Sequence, residues 1–209
     1  MDIHFDHNSY LNKPGICFGN GPSINNVPDY SIFDNELTIG TNRIYLKYIP
    51  KILCWVDEKT YELEKNSINK LDCYKITRKT GYVYPPNIHT FKFIGHSSLC
   101  LEEKFVIGGI TSSGCLAFQI AWWLGCDPII IVGFDCRSSN KDYNTHFYGK
   151  NEHYSSSSQR TCSRGLNWIK RADELLYKCK KIDKRRTILS LSNNIYFKQS
   201  GVLEMKNVL

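Results

Sequence analysis

The 209-residue chain lacks several familiar signatures. None of its nine cysteines stands in a C-x-x-C spacing, which argues against a zinc knuckle or a thioredoxin-type redox pair. There is no D-x-D, so a metal-bridged diphosphate of the usual glycosyltransferase kind has no sequence support. There is no G-x-G-x-x-G and no G-K-[ST], which disfavours a dinucleotide fold and a P-loop kinase. No apolar run is long enough to span a bilayer; the longest, around Cys115 to Leu124, is interrupted by Gln119. The start MDIHFDHNSY has neither the basic beginning nor the apolar stretch of a secretory signal. The cysteine number is odd and several lie in apolar runs (ICFG, ILCW, WWLGC). They read as reduced thiols acting as small hydrophobes, in a cytoplasmic protein.

What is present is a balanced globular composition, 42% apolar and 22% charged, enough to bury a core without disulfides or metal. The formal net charge of +7 suits an anionic partner. Part of the excess lies in Lys178–Arg186. That segment reads either as the solvated end of a helix or as a surface for an acidic acceptor or a membrane.

The order of elements predicts one domain, residues 1–209. Short apolar runs at Gly15–Phe18, Leu37–Thr41 and Lys51–Val56 each end on a polar or turn residue: Gly19, Asn42 and Asp57. Glu58–Leu71 reads as a polar helix, and Lys75–Thr77 and His89–Ile94 as strands. Ser113–Leu124 is the strongest helix, with Ser112 or Ser113 as cap and Gly125 at its end. Ile129–Val132 is a buried strand closed by Gly133-Phe134-Asp135. Gly165–Lys181 reads as an amphipathic helix and Thr187–Leu191 as a last strand. Alternation of strands and helices implies a Rossmann-like open, mostly parallel α/β sheet with helices on both faces. Residues 136–165, polar and aromatic, form a lid or acceptor loop in this reading.

Three segments carry candidate chemistry. Gly19-Asn20-Gly21-Pro22-Ser23 follows the first strand. Its glycines permit close approach of backbone to a diphosphate, Asn20 can donate to a phosphate oxygen, and Ser23 can cap the next helix. Thr111-Ser112-Ser113-Gly114 sets hydroxyls and amides at a helix start, a second anion site. The stretch Asp135–His153 holds Arg137, Tyr143, His146, Tyr148, Lys150 and His153. Such residues can neutralise a leaving phosphate and deprotonate an acceptor. The bland alternatives are a tight turn, simple capping and a solvated loop.

Four blocks in order, GNGPS at 19–23, Asn42 after a strand, ITSSG at 110–114 with its helix, and IIIVGFD at 129–135, resemble the bacterial family-42 sialyltransferases. They also resemble a related group that includes archaeal hydroxymethylpterin pyrophosphokinases. A fifth, weaker block is NTHFYG at 144–149. The resemblance implies a metal-independent, inverting glycosyltransferase without a resident cofactor. Its donor would be a CMP-sugar-like nucleotide sugar and its acceptor a hydroxyl on a glycan or a modified DNA base. Asn20 and its glycines would hold the donor phosphate and ribose, and Asn42 the nucleotide. Thr111, Ser112, Ser113 and Gly114 would hold nucleotide or sugar carboxylate, while Gly133 and Asp135 line the base or ribose pocket. Tyr143 would bond the leaving phosphate, and Arg137 stands where the family has a companion tyrosine. Lys150 stands at the family's catalytic histidine, which leaves His146 or His153 as the base. Two other readings remain open. One is Mg²⁺-dependent pyrophosphoryl transfer from ATP, with Asp57 and Asp135 as metal candidates. The other is a nucleotide-binding module without turnover. A homo-oligomer is also open.

Overall fold

A computed structural model describes residues 5–95, 106–108, 112–135, 147–148, 173–191 and 203–204. The strands are β1 (Gly15–Phe18), β2 (Leu37–Thr41), β3 (Ile52–Trp55), β4 (Tyr74–Arg78), β5 (Ile88–Phe93), β6 (Val106–Ile107), β7 (Ile129–Val132), β8 (Ile188–Ser190) and β9 (Leu203–Glu204). They form one sheet in the order β6-β5-β4-β3-β2-β1-β7-β8-β9. Every pairing among them is parallel. The chain walks outward from β1 to β6, then returns to lay β7 on the other side of β1. The strand order therefore reverses between β1 and β7, where an open α/β sheet forms its ligand crevice at the carboxyl ends.

The strands alternate between two cores, as a sheet covered on both faces requires. Cys17, Ile39, Ile52, Cys54, Ile129 and Ile131 face one core with α2 (Ser113–Trp123) and with Leu175, Leu176 and Cys179 from the helical residues 173–182. Ile16, Phe18, Leu53, Trp55 and Val132 face the other, with Tyr61 and Ile68 of α1 (Glu58–Ile68). Helices thus cover both faces, as the sequence predicts. Cys17, Cys54, Cys115, Cys126 and Cys179 are buried free thiols and Cys73 is half-buried. Cys100, Cys136 and Cys162 lie outside the described residues. None of the helices among the described residues is long and apolar enough to cross a membrane.

The helix predicted as Ser113–Leu124 is present, but it is not amphipathic. Nearly every side chain from Cys115 to Trp123 is buried, so α2 is a core helix enclosed on all sides. Its C-terminus is closed by a Schellman arrangement. Gly125, at φ +88°, donates to Trp122 O, and Cys126 donates to Ala121 O. The remaining carbonyls are met from outside the helix. Asn8 N–H bonds Trp123 O, Tyr10 N–H bonds Leu124 O, and the Arg186 guanidinium donates to Trp122 O while lying 4.6 Å from that residue's ring. Lys180 Nζ likewise donates to the carbonyls of Lys184 and Arg186. Arg186 thus closes the end of α2, while Lys180 braces the turn after its own helix.

One residue of α2 breaks the pattern. Gln119 is 2% exposed, and neither its Oε1 nor its Nε2 has a hydrogen-bond partner. A buried amide left unpaired costs about 1–3 kcal/mol. Gln119→Met is therefore expected to raise stability by about 1–2 kcal/mol, moving the melting midpoint up by about 3–6 °C. A thermal melt giving an unchanged or lower midpoint would show that the amide has a use the packing does not reveal.

Candidate functional site

The loops after β1 and β7 run side by side across the switch point. Gly19 N–H donates to Val132 O at 2.7 Å and Gly21 N–H to Gly133 O at 2.8 Å. Ser23 N–H donates to Asp135 Oδ2 at 2.8 Å. A Cβ on Gly19 would stand 2.3 Å from Gly133 O, and one on Gly21 would stand 2.0 Å from Asp135 Oδ2. The glycines are needed because the two loops touch each other. The close packing gives these glycines a task inside the protein besides the approach to a diphosphate expected from sequence. The amides of Gly19, Gly21 and Ser23 are spent inside the protein, and the anion facing Ser23 is the protein's own buried carboxylate. Ser23 does not cap a helix either. The turn that follows is a short 3-10 helix, Pro22–Asn26, whose N-cap is Gly21 without a side-chain bond.

Beside this zipper, Asn20 is 8% exposed and its Nδ2 donates to Thr41 O at 3.0 Å and to Thr41 Oγ1 at 2.6 Å. Its Oδ1 is buried without a partner. Asn42, next along, has φ +46°, a left-handed conformation that asparagine tolerates better than most residues. Its Oδ1 accepts from Ser113 Oγ at 2.9 Å, and that hydroxyl oxygen accepts from Val56 N–H at 3.2 Å. Of the two capping candidates, Ser112 is the cap, accepting from Cys115 N–H at 3.3 Å. Ser113 instead ties the start of α2 to the ends of β2 and β3. The ring of Phe134 lies so close to Gly114 that a Cβ there would come within 2.9 Å of it. Asp135, Ser23, Asn20, Thr41, Asn42 and Ser113 thus form a polar row across the carboxyl ends of β7, β1, β2 and β3.

The row joins most of the nucleotide-site residues expected from sequence: Gly19, Asn20, Gly21, Pro22, Ser23, Asn42, Ser112, Ser113, Gly114, Gly133 and Asp135. Thr111 lies outside the described residues, as do Arg137, Tyr143, His146, Lys150 and His153. Most of the loop predicted at 136–165 does too, but Phe147 and Tyr148 are described, and Phe147 meets the row while Tyr148 meets Arg43 beside it. Phe147 N–H donates to Asn20 O at 2.8 Å, and Asn25 Nδ2 donates to Phe147 O at 3.4 Å. The Tyr148 ring lies 5.2 Å from the guanidinium of Arg43, which is ion-paired with Glu64 of α1. Tyr45 OH donates to the same carboxylate. Burial first, and the Glu64 bond second, push that hydroxyl up to about 12, so it stays a donor at neutral pH.

Thr41 and Arg43 are the residues sequence reasoning missed. Thr41 was visible only as the last residue of a strand, and Arg43 had no signal beyond its place after Asn42. The two carboxylates proposed for a metal, Asp57 and Asp135, follow β3 and β7. Those strands are three inter-strand spacings apart, about 14 Å, too far to share one ion. Among the described residues no cluster of three or more His, Cys, Asp or Glu side chains could hold a metal.

No family model and no curated protein matches the chain. Among solved structures it is similar to the sialyltransferase CstII from Campylobacter jejuni, in complex with the substrate analogue CMP-3FNeuAc. The likeness covers 93% of this chain and 87% of that one, at 14% identity and a TM-score of 0.48. A likeness of that degree carries no functional argument, which rests on the residues.

Proposed function

We propose that this chain is a glycosyltransferase that binds a nucleotide-activated sugar, of the CMP-sugar kind, at the β1/β7 switch point. One observation carries the reading: the separate blocks 19–23, 42, 112–114 and 133–135 converge on one polar row at the carboxyl ends of adjacent strands. The order of those blocks, and their resemblance to family-42 sialyltransferases, supports the sugar-transfer chemistry. Asn20 Oδ1, buried and unpartnered, suits a ribose hydroxyl donating to it. Asp135 suits a second donor on the ribose or base.

In this reading His146 or His153 takes the proton of the acceptor hydroxyl. The resulting oxygen attacks the anomeric carbon from the face opposite the nucleotide, and the bond from that carbon to the phosphate oxygen breaks. Tyr143, Arg137 and Lys150 meet the charge of the departing phosphate. The chemistry needs no metal and no resident cofactor. The acceptor is a hydroxyl on a glycan or on a modified base in DNA, and the site works in the cytoplasm.

Thermal-shift titration with CMP, UDP, GDP and ATP tests the nucleotide site, since a ligand bound only by the folded state raises the melting midpoint. CMP is expected to give the largest shift, without added Mg²⁺. Asn20→Ala removes the orphan acceptor and is expected to weaken that nucleotide about tenfold. Slow release of free sugar and nucleotide from the donor, abolished by His146→Ala or His153→Ala, is expected of the enzyme. No shift with any of the four nucleotides, or a strict Mg²⁺ requirement, would overturn the reading.

A further inference from the structure

The edge of the sheet opposite the polar row carries the part of the basic segment that no helix end uses. All the strands are parallel, so their amino ends gather there. Helical residues 173–182 pack Leu175, Leu176 and Cys179 inward and run down to that edge, where a turn leads into β8. Four residues apart on the helix, Tyr177 neighbours Lys181 and Lys178 neighbours Ile182, so these side chains share its outward face. All four are exposed, Ile182 at 65%. The Lys181 ammonium lies 4.6 Å from the Tyr177 ring. The turn adds Lys184 and Arg185, the second with a side chain 92% exposed. The nearby carboxylates are bound inward or set back. Asp183 accepts from Arg185 N–H at 3.1 Å and lies 3.4 Å from the guanidinium groups of Arg185 and Arg186. Asp127 accepts from Thr187 N–H at 2.8 Å. Glu174 is half-buried, one turn back toward the other edge. Asp127 N–H donates to Lys13 O at 2.9 Å, which brings the exposed Lys13 and Leu11 to the same edge.

We infer that the face formed by Tyr177, Lys178, Lys181, Ile182, Lys184 and Arg185 docks the protein on an anionic lipid bilayer. Charge supplies the attraction, because a leaflet rich in acidic lipid is negative and the four cations stand together on one exposed face. The apolar chain among them selects a bilayer over other polyanions. Ile182 can enter the boundary between headgroups and acyl chains while the ammonium and guanidinium groups stay at the lipid phosphates, with the Tyr177 ring at that boundary. A nucleic acid, bound chiefly through its phosphates, gains little from an exposed isoleucine. Docked by its amino edge, the sheet turns the polar row at the carboxyl ends away from the lipid. The surface stands whether or not that row transfers a sugar.

The test is co-sedimentation of the full chain with vesicles of phosphatidylcholine alone and of phosphatidylcholine mixed with phosphatidylglycerol in equal parts, at low and at high salt. The mixed vesicles are expected to bind the chain at least about tenfold more tightly, and less tightly at high salt. The triple variant K181Q/K184Q/R185Q changes exposed side chains and is expected to keep its melting midpoint. At about fivefold per charge it should bind the mixed vesicles roughly a hundredfold more weakly. Ile182→Ser keeps every charge and should weaken vesicle binding about threefold or more, while leaving any binding to a short DNA duplex unchanged. Equal binding to the two kinds of vesicle would overturn the proposal. So would undiminished binding by the triple variant. Tighter binding to the duplex than to the mixed vesicles, with Ile182→Ser neutral on both, would show a general polyanion surface and overturn it as well.

Discussion

Gly19→Ala is expected to cost about 3 kcal/mol or more and to lower the melting midpoint by about 10 °C. The added methyl would sit 2.3 Å from Gly133 O and 2.9 Å from Gly133 C. Both are backbone atoms, so no side chain can move aside. Relief requires parting the ends of β1 and β7, which breaks the Gly19–Val132 and Gly21–Gly133 bonds. Gly21→Ala makes a useful contrast. Its nearest obstacle, at 2.0 Å, is Asp135 Oδ2, the far end of a side chain, and its backbone clash is milder, with Gly133 O at 2.7 Å rather than 2.3 Å. The carboxylate can swing, at the cost of its bond from Ser23 N–H. Gly21→Ala should therefore lose less stability and more nucleotide affinity. A calorimetric melt and a nucleotide titration on both variants check the pair. A fall of less than about 2 °C for Gly19→Ala would show that the two loops are not tightly apposed.

Stability should fall steeply in mild alkali. Burial raises the pKa of Cys126 and Cys179 to about 12, and pushes those of Cys17 and Cys54 up as well. In the unfolded chain each thiol titrates near about 8.5. A raised folded pKa favours the native state below the unfolded value, and that advantage disappears as pH climbs toward the folded one. Between about pH 8.5 and 12 the unfolded chain sheds four protons that the native state keeps. Each contributes about 1.4 kcal/mol per pH unit, together about 5 kcal/mol per unit. Urea unfolding midpoints from pH 7 to 10 should be flat at first and then drop. Cys126→Ala should remove about a quarter of what these four thiols contribute to the slope. A flat profile to pH 10 would mean that these thiols are not enclosed as described.

The sheet was largely legible because its strands are short and apolar, and each stops at a glycine or polar residue. Gly15–Phe18, Leu37–Thr41 and Ile129–Val132 could be bounded by eye, and the helix-to-strand passage at Gly125 marked a crossover. Strand order was less legible. Nothing local to Ile129–Val132 says that it pairs with β1, since that pairing depends on the sum of two enclosed faces. At the site, residue types pointed to segments that the fold brings together, but not to the bonds they make with one another. Gly19, Gly21 and Ser23 look the same whether they receive a phosphate or a neighbouring loop. Only the placement of Val132 O, Gly133 O and Asp135 Oδ2 beside the loop shows that all three amides are already used. The complete enclosure of α2 was also hidden, because periodicity shows which residues can face inward. It does not show that the N-terminal segment and residues 173–182 close the remaining sides.

The pairing of β1 with β7 also bears on how the chain is made. Gly15 aligns with Ile129, more than a hundred residues downstream. At a ribosomal pace of about 5–20 residues per second, the two partners emerge on the order of 6–20 s apart. Through that interval the first strand offers a bare edge, and the loop behind it has no counterpart to zip against. Nascent chains of this protein should therefore depend on holdase chaperones until the second half arrives, and slowing translation before Ile129 should lower the yield of native material.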